Sequence, residues 1–446
     1  MPLLDVARFI REHDGFLIVH HHDADGLCSA GIMGLLMESL GKKYKFMGVK
    51  QLDPENMARV KEKNKKTVFV DLGSGSLDMI NSFLDDYAVI DHHQVNGTVK
   101  GVQYNPREEG HNGDKEFSGS TACYLVAKEL GVEEGVAKLA VIGSVGDMQD
   151  RGTGLIGLNK SALNDAVKAG EVEVKKDLVL FGRNSRPLTQ FLFYASDPFI
   201  PGVSGSEQGS LDLLKKAGIT LKQEDGWRYY CDLSQEEKRA LFTELYKKGL
   251  EEGVSENLLE SLIGEVYDLP KEKPRTVFSE AKEFATLLNA CGRNQAYELG
   301  VKVCMGEREN TAKEALTLLR KHRENLRKGI EIVQERGYKD KGSFYYFEAD
   351  EIPETIIGTV AGMAQGSVVP LNKPVLAGSR TDDGRIKISA RASWALVRKG
   401  LNLGRIMRKA AEKTGGVGGG HRIAAGATVP EEKLEEFLRV VKEMIK

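Results

Sequence analysis

Asp91-His92-His93 stands directly behind the apolar run Tyr87-Ala88-Val89-Ile90. A short run of that kind reads as a buried strand, so its exit carries one carboxylate and two imidazoles. Groups able to hold charge are costly to bury unless something binds them. Other strand-like runs end the same way. Phe16-Leu17-Ile18-Val19 enters His20-His21-His22-Asp23-Ala24-Asp25-Gly26, and Thr67-Val68-Phe69-Val70 ends at Asp71. Ala140-Val141-Ile142-Gly143, read as a fourth strand, leads to Asp147. Carboxylate oxygens mixed with imidazole suit manganese or magnesium better than zinc, which favours thiolates. The set exceeds what one ion needs, and fits two ions about 3.5–4 Å apart that share a carboxylate. Such a pair polarises a phosphoryl group and activates water, so the chemistry is hydrolysis of a phosphoester or phosphoanhydride. A single Asp at a strand end is usually a turn or cap residue. That reading fails for the set, because six of the nine histidines fall at 20–22, 92–93 and 421.

These side chains need a scaffold that gathers strand ends. Residues 1–160 alternate short apolar strands with helical patterns at 26–40, 56–63 and 120–130, the last with Ser118 or Ser120 as N-cap. The alternation predicts an α/β, doubly wound, mostly parallel sheet that binds ligands beyond the carboxyl ends of its strands. Residues 161–285 read as an inserted or connecting domain, with helical stretches at 211–217 and 235–264. Residues 286–446 read as a smaller α/β substrate-binding domain, after a helical pattern at 279–290. It has a long helix at 310–337, strands at 343–348, 374–378 and 385–391, and a last helix at 430–445.

Composition narrows the classes. A chain of 446 residues with 41% hydrophobic content supports two or three domains. A net charge of −2 excludes a broadly basic nucleic-acid coat, so a nucleic-acid partner needs a local groove. The five cysteines occur singly, which argues against zinc knuckles and a disulfide framework and fits a reducing, cytoplasmic setting. No signal peptide and no membrane span are expected.

Taken in series, His-x-Asp-x-Asp-Gly at residues 21–26, Asp71, Asp91-His92-His93 and Asp147 resemble the DHH phosphoesterase family. Gly418-Gly419-Gly420-His421, followed by Ala424-Ala425-Gly426, resembles that family's associated C-terminal domain. The resemblance implies that Asp71 bridges two manganese ions, with magnesium as an alternative. Asp23 and a histidine would complete one ion's ligands, and Asp25, His92 and Asp147 the other's. His93 would face the phosphate and Asp91 would support the histidines, while Arg391 and His421 would grip the substrate phosphate. One departure is Val19, which occupies the position where many members carry the first histidine. His20, His21 and His22 are all candidates, and the His-x-Asp form favours His21. The glycine run at 415–420 reads as a phosphate loop whose backbone amides approach an anion closely.

Two further segments resemble the archaeal RecJ-like, helicase-associated branch: Phe284 through Arg293, and Gly182-Arg183 through Arg186-Pro187 to Asp197-Pro198 and Pro201-Gly202. Arg183 and Arg186 lie among Phe191, Phe193, Tyr194 and Phe199. Arginines interleaved with aromatics can track a phosphate chain and stack bases, although Phe191 to Tyr194 fit a core better. The expectation is a metal-dependent exonuclease on single-stranded nucleic acid in replication or repair. DNA is favoured over RNA, and attack from the 5′ end slightly over the 3′ end. Residues 161–285 could dock a replication or repair protein. The alternatives are an oligoribonuclease, a cyclic-dinucleotide phosphodiesterase, or a replication-complex scaffold.

Overall fold

The computed structural model describes residues 2–195, 200, 202–224, 226–252, 254, 256–365, 368–381, 383–420 and 422–445. Asp197, Pro198, Phe199, Pro201 and His421 therefore lie outside the described residues. Two compact units form: residues 1–198 with 207–319, and residues 199–206 with 320–446.

The first unit begins with α1 (Pro2–Glu12), β1 (Gly15–His21), α2 (Ala24–Ser39), β2 (Lys43–Val49), α3 (Pro54–Glu62), β3 (Lys66–Val70), α4 (Leu77–Phe83), β4 (Tyr87–Ile90) and β5 (Val102–Tyr104). The strands pair in parallel in the order β2-β1-β3-β4-β5. β4 is buried along its whole length, as an apolar run in a sheet covered on both faces should be. Alternation along the strands sorts the two faces. Ile18, Val68, Val70, Ala88 and Ile90 share a core with α2, α5 (Gly119–Glu129) and α6 (Val136–Gly146). Leu17, Val19, Phe69, Tyr87 and Val89 pack with Met57 and Val60 of α3 and with Leu77 and Ile80 of α4. This is the doubly wound parallel sheet expected from the sequence.

The run before Asp147 is not a strand. Residues 136–146 form α6, and Asp147 is its C-cap. Val136, Leu139, Val141, Ile142 and Val145 are all buried, so the helix is apolar on every side and its sequence shows no polar stripe. A short apolar run of this kind does not separate strand from helix.

After α7 (Gly157–Lys168), β6 (Glu173–Leu178) pairs antiparallel with β9 (Ile263–Asp268). Between them lie α8 (Leu188–Phe193), α9 (Glu207–Lys216), the small hairpin of β7 (Lys222–Gln223) and β8 (Gly226–Trp227), α10 (Gln235–Glu251) and α11 (Glu256–Glu260). The helix expected at 235–264 thus ends early and gives way to β9. α12 (Ala281–Arg293) and α13 (Tyr297–Cys304) place Phe284, Leu287, Leu288, Val301 and Val303 in the same core as α2 and α6. The sequence boundary at 285–286 falls inside α12.

α14 (Glu309–Arg336) carries the chain into the second unit. There β10 (Lys339–Asp340), β11 (Tyr345–Glu348), β12 (Val375–Arg380), β13 (Arg385–Arg391), β14 (Val417–Gly420) and β15 (Ala424–Pro430) form a six-stranded sheet in the order β10-β11-β12-β13-β15-β14. Only the β11–β12 pair is parallel. α15 (Ile357–Ala364) packs its Ile357, Val360 and Ala361 with Val375 and Ala377. α16 (Trp394–Arg398) is short, and α17 (Leu403–Lys413) and α18 (Leu434–Met444) share a core with Leu376, Ile386 and Ile388. The glycine run is an edge strand rather than a loop. A Cβ at Gly418 would meet the Met407 carbonyl of α17 at 2.6 Å, and one at Gly416 the Thr428 carbonyl at 2.5 Å. The glycines let a helix lie directly on this strand.

Candidate metal centre

Strand register assembles the site. His20 pairs with Val70, and Val70 with Ile90. The next residue on each strand, His21, Asp71 and Asp91, therefore leaves the sheet at the same carboxyl end. Asp71 takes a left-handed conformation, φ +59, while its N–H donates to the Ile90 carbonyl at 3.0 Å. A non-glycine residue held there is strained, and such strain concentrates at functional sites.

The two oxygens of Asp71 face two different groups. Oδ2 is 3.4 Å from His21 Nδ1, which also lies 3.0 Å from Asp23 Oδ2. Oδ1 is 3.2 Å from His92 Nε2. His92 in turn approaches Asp25 Oδ2 at 4.0 Å through Nε2 and Asp147 Oδ2 at 3.9 Å through Nδ1. The potential donor atoms of His21, Asp23 and Asp71 lie within 4.8 Å of one another, and so do those of Asp25, His92 and Asp147. A third such group joins Asp71 and His92 to Asp91 and His93.

A layer of hydrogen bonds aims these groups. Asp23 caps α2, accepting from the Gly26 N–H through Oδ1 and leaving Oδ2 for His21. Asp25 accepts the Gly119 and Ser120 N–H groups at 2.7 and 3.0 Å, at the positive end of α5. Asp91 accepts from the backbone N–H of Ser74 and from those of His92 and His93. It also binds His93 Nδ1 at 2.8 Å. Gln149 bridges Asp147 Oδ2 and the Gly113 carbonyl. That carbonyl also accepts from His92 Nδ1 at 2.8 Å. None of Gly119, Gly113, Gln149 or Ser74 was singled out from sequence, since each acts through its backbone or through another side chain.

The donor set fits divalent cations. With Nδ1 donating to a carbonyl, the neutral His92 ring presents a bare Nε2 lone pair to the Asp71 carboxylate. Two acceptors facing each other need a cation or a proton. Asp71 Oδ1 and His21 Nδ1 are moreover buried without a hydrogen bond. Electrostatics say the same. Burial and then Asp71 and Asp147 push the Asp25 carboxyl well above its usual range. Burial opposes the charge on His92, yet Asp71, Asp147 and Asp25 together hold it well above its ordinary value. Burial drives His20 and His22 down to about 4. His20 Nδ1 is taken by the His21 carbonyl, and its ring packs near Phe46 and Tyr297. Of the three candidates, His21 is the one that reaches the carboxylates.

The segment from Phe284 to Arg293 buttresses this centre. It forms most of α12, whose Asn289 side chain accepts the Ala24 N–H at 3.0 Å. A Cβ at Gly292 would lie 1.7 Å from the His22 carbonyl.

Arg183 and Arg186 join none of these groups among the described residues. Arg183 is 3% exposed, paired with Asp268 at 2.7 Å and Asp177 at 3.4 Å. Its donors are committed inside the fold, which corrects the expectation that it contacts substrate. Arg186 stacks over Phe181 and Tyr194. Replacing Arg183 with methionine takes one of two cations from each carboxylate, leaving Asp177 to Lys238 and Asp268 to Lys175. The expected outcome is a loss of about 2 kcal/mol, read as a lower melting temperature, with single-strand binding in EDTA unchanged.

Glu280, at the start of α12, is pushed up to about 7 by burial, with Arg183 opposing and Glu283 reinforcing. A raised carboxyl contributes stability that is complete below its ordinary value near 4.5 and is lost as pH rises through 7. The melting-temperature advantage of wild type over Glu280→Gln should therefore shrink between pH 5 and pH 8.

In the second unit, Arg391 pairs with Ala424, and Gly420 pairs with Ala425. The arginine and the glycine strand thus stand at the same end of the sheet. Gly358 of α15 makes room for the guanidinium, since a Cβ there would meet Nη2 at 2.5 Å. Gly418 and Gly419 lie on β14 with Gly420.

Comparison with known proteins matches each part. The DHH family N-terminal domain matches residues 15–144, the DHH-CID domain residues 180–263 and the DHHA1 domain residues 341–446. An uncharacterized protein of Methanocaldococcus jannaschii is 31% identical over 448 residues, covering 98% of this chain and 94% of that protein. RecJ of Thermus thermophilus, solved in complex with Mn2+, matches with TM-score 0.62 and 16% identity. That match covers all of this chain and 54% of RecJ, so the chain spans about half the length of that protein. CDC45 of Entamoeba histolytica matches with TM-score 0.62 and 16% identity over 98% of this chain and 96% of CDC45. Among the described residues no helix is long and apolar enough to cross a membrane. At such identities the two structures speak to fold alone, which is RecJ-like; the three domain matches make the chain a member of the DHH family.

Proposed function

We propose that this protein is a two-metal, manganese-preferring exonuclease on single-stranded nucleic acid, with magnesium as the alternative cation. The observation that supports it most is Asp71, whose two carboxylate oxygens face His21 and His92 separately. That is the disposition of a bridging ligand. His21 and Asp23 would hold one ion with Asp71, and Asp25, His92 and Asp147 the other. When bound, the two cations supply Lewis acidity toward the phosphoryl group and lower the pKa of water.

The chain's own residues do the rest. Asp25 stays anchored on the N-terminus of α5, so its free lone pairs keep a fixed direction. His93 is half-exposed; burial opposes its charge, but Asp91 outweighs burial and raises its pKa, which favours the cationic ring. A cation there stabilises charge developing on a phosphate. Asp91 is the positioning residue, tied to Ser74 and to the backbone of both histidines. Arg391 suits bidentate phosphate recognition, and Gly418, Gly419, Gly420 and His421 complete that reading of the C-terminal domain. DNA as substrate and attack from the 5′ end are the favoured choices.

The test is a single-stranded 30-mer labelled at either end, incubated with manganese beside a dinucleotide and pyrophosphate. Immediate release of labelled mononucleotide from the 5′ end, abolished by EDTA, is the expected result. Rapid dinucleotide cleavage with an intact 30-mer would replace the exonuclease with an oligonucleotidase. No turnover of any substrate would leave a replication scaffold, the reading that the CDC45 likeness recommends.

A further inference from the structure

α17 has two faces. Leu403, Ile406, Met407, Ala410 and Ala411 are buried, whereas Arg405, Arg408, Lys409 and Glu412 form an exposed stripe. Their spacing of three and four residues sets successive side chains about 5–6 Å apart along the helix. The stripe borders the glycine strand. Gly418 brings β14 against α17, and the Arg408 guanidinium lies 3.9 Å from where a Gly419 Cβ would sit. Between them opens a groove of about 440 Å³ lined by Asn402, Arg405, Arg408, Lys409, Gly420 and Arg422, with Glu412 as its single carboxylate.

Several exposed cations elsewhere on this unit are paired with a carboxylate. Arg336 meets Glu351, Lys373 meets Asp340, Arg380 meets Asp350 and Glu431, and Lys433 meets Glu436. Arg405, Arg408, Lys409 and Arg422 form no ion pair among the described residues, although Glu412 is within helical reach of Arg408. Four cations sharing one groove repel one another, and a polyanion relieves that repulsion while releasing its own counterions. A lone small anion needs one or two of these groups; a stripe two turns long beside the bare backbone of Gly418 to Gly420 suits a chain of phosphates.

We propose that this groove is a track for the internal phosphodiesters of a single strand, with Arg405, Arg408 and Lys409 setting the preference for long over short substrates. The inference rests on the nucleic-acid reading above and goes beyond it, since none of the family's motifs noted in the sequence includes α17.

The test uses full-length protein in EDTA and a fluorescein-labelled oligo(dT) 20-mer, followed by anisotropy over a salt series. The triple variant Arg405→Gln, Arg408→Gln, Lys409→Gln should bind at least about 10-fold more weakly, and its log–log salt slope should be shallower by about 2. Glu412→Gln should bind more tightly than wild type, which keeps the proposal testable if the triple variant folds poorly. Unchanged affinity in both variants would overturn the track, and so would no wild-type binding. Equal competition by tripolyphosphate would also overturn it, by making the groove a small-anion site. The hydrolysis reading is judged apart, by manganese-dependent release of label from the 30-mer by the wild-type protein. Absence of that release would sink the nuclease and leave the binding result standing.

Discussion

Replacing Asp71 with asparagine is expected to lower manganese-dependent strand hydrolysis by at least about 1,000-fold, roughly 4 kcal/mol of transition-state stabilisation. Asparagine is the informative choice because it keeps the side chain's size and tolerates the left-handed backbone at φ +59. It removes the one carboxylate whose two oxygens face His21 and His92 separately. Without metal, Asp71 adds to the repulsion that pushes Asp25 upward. The metal-free variant should therefore melt no lower than wild type. The two proteins should separate when manganese is added. Wild type should gain melting temperature as the cations bind the folded state only, and the variant should gain much less. Calorimetric titration with Mn2+ reads the same difference without any substrate. A variant that retains wild-type hydrolysis would remove Asp71 from the bridging position. Normal metal binding with lost activity would place it in the chemistry but not in metal binding.

Much of this site was legible because it lies at strand ends. The apolar runs before His20, Asp71 and Asp91 are continuous, since β1, β3 and β4 are covered on both faces, and each run stops where a charge-capable residue begins. Asp147 stands behind an apolar run that reads as a strand and folds otherwise. Its run is a helix, α6, apolar all round, and the carboxylate reaches the centre from a helix C-cap. Arg183 shows the opposite failure. An arginine among aromatics reads as a nucleic-acid contact, but its partners Asp177 and Asp268 are 6 and 85 residues away in sequence. No local pattern reveals a pair that only β6 and β9 bring together. The glycine run is legible only in part. Its composition signals close approach of backbone to something, and the α17 helix supplies that neighbour on one side. Asn289 stands out only as part of the segment from Phe284 to Arg293. Gln149 leaves no mark in the sequence because it holds a ligand in place, and a residue that works through another carries no signature of its own type.

Gly119 is such a residue, and the effect expected of it is nearly as large. Substitution by alanine should cut hydrolysis by at least about 100-fold, although no proposed ligand changes. Gly119 is the first residue of α5, and its N–H donates to Asp25 Oδ2 at 2.7 Å. A Cβ there would lie 2.6 Å from both the Cβ and Oδ1 of Asp71 and 2.9 Å from its Cα. Neither wall yields easily. Asp71 is tied to β4 through the Ile90 carbonyl, and α5 is tied to Asp25 by two backbone N–H groups. Relief therefore shifts Asp71 relative to Asp25, which are proposed to serve a shared pair of ions. Alanine is the best helix former, so α5 itself should not weaken. The expected signature is a lower kcat and weaker Mn2+ affinity, with single-strand binding in EDTA unchanged. Gly15→Ala is the control, because nothing lies within 4 Å of its added Cβ, and it should behave as wild type. Wild-type kcat in Gly119→Ala would mean that the contact between α5 and Asp71 is looser than the structure describes, and that the proposed spacing of the two ions is not set there.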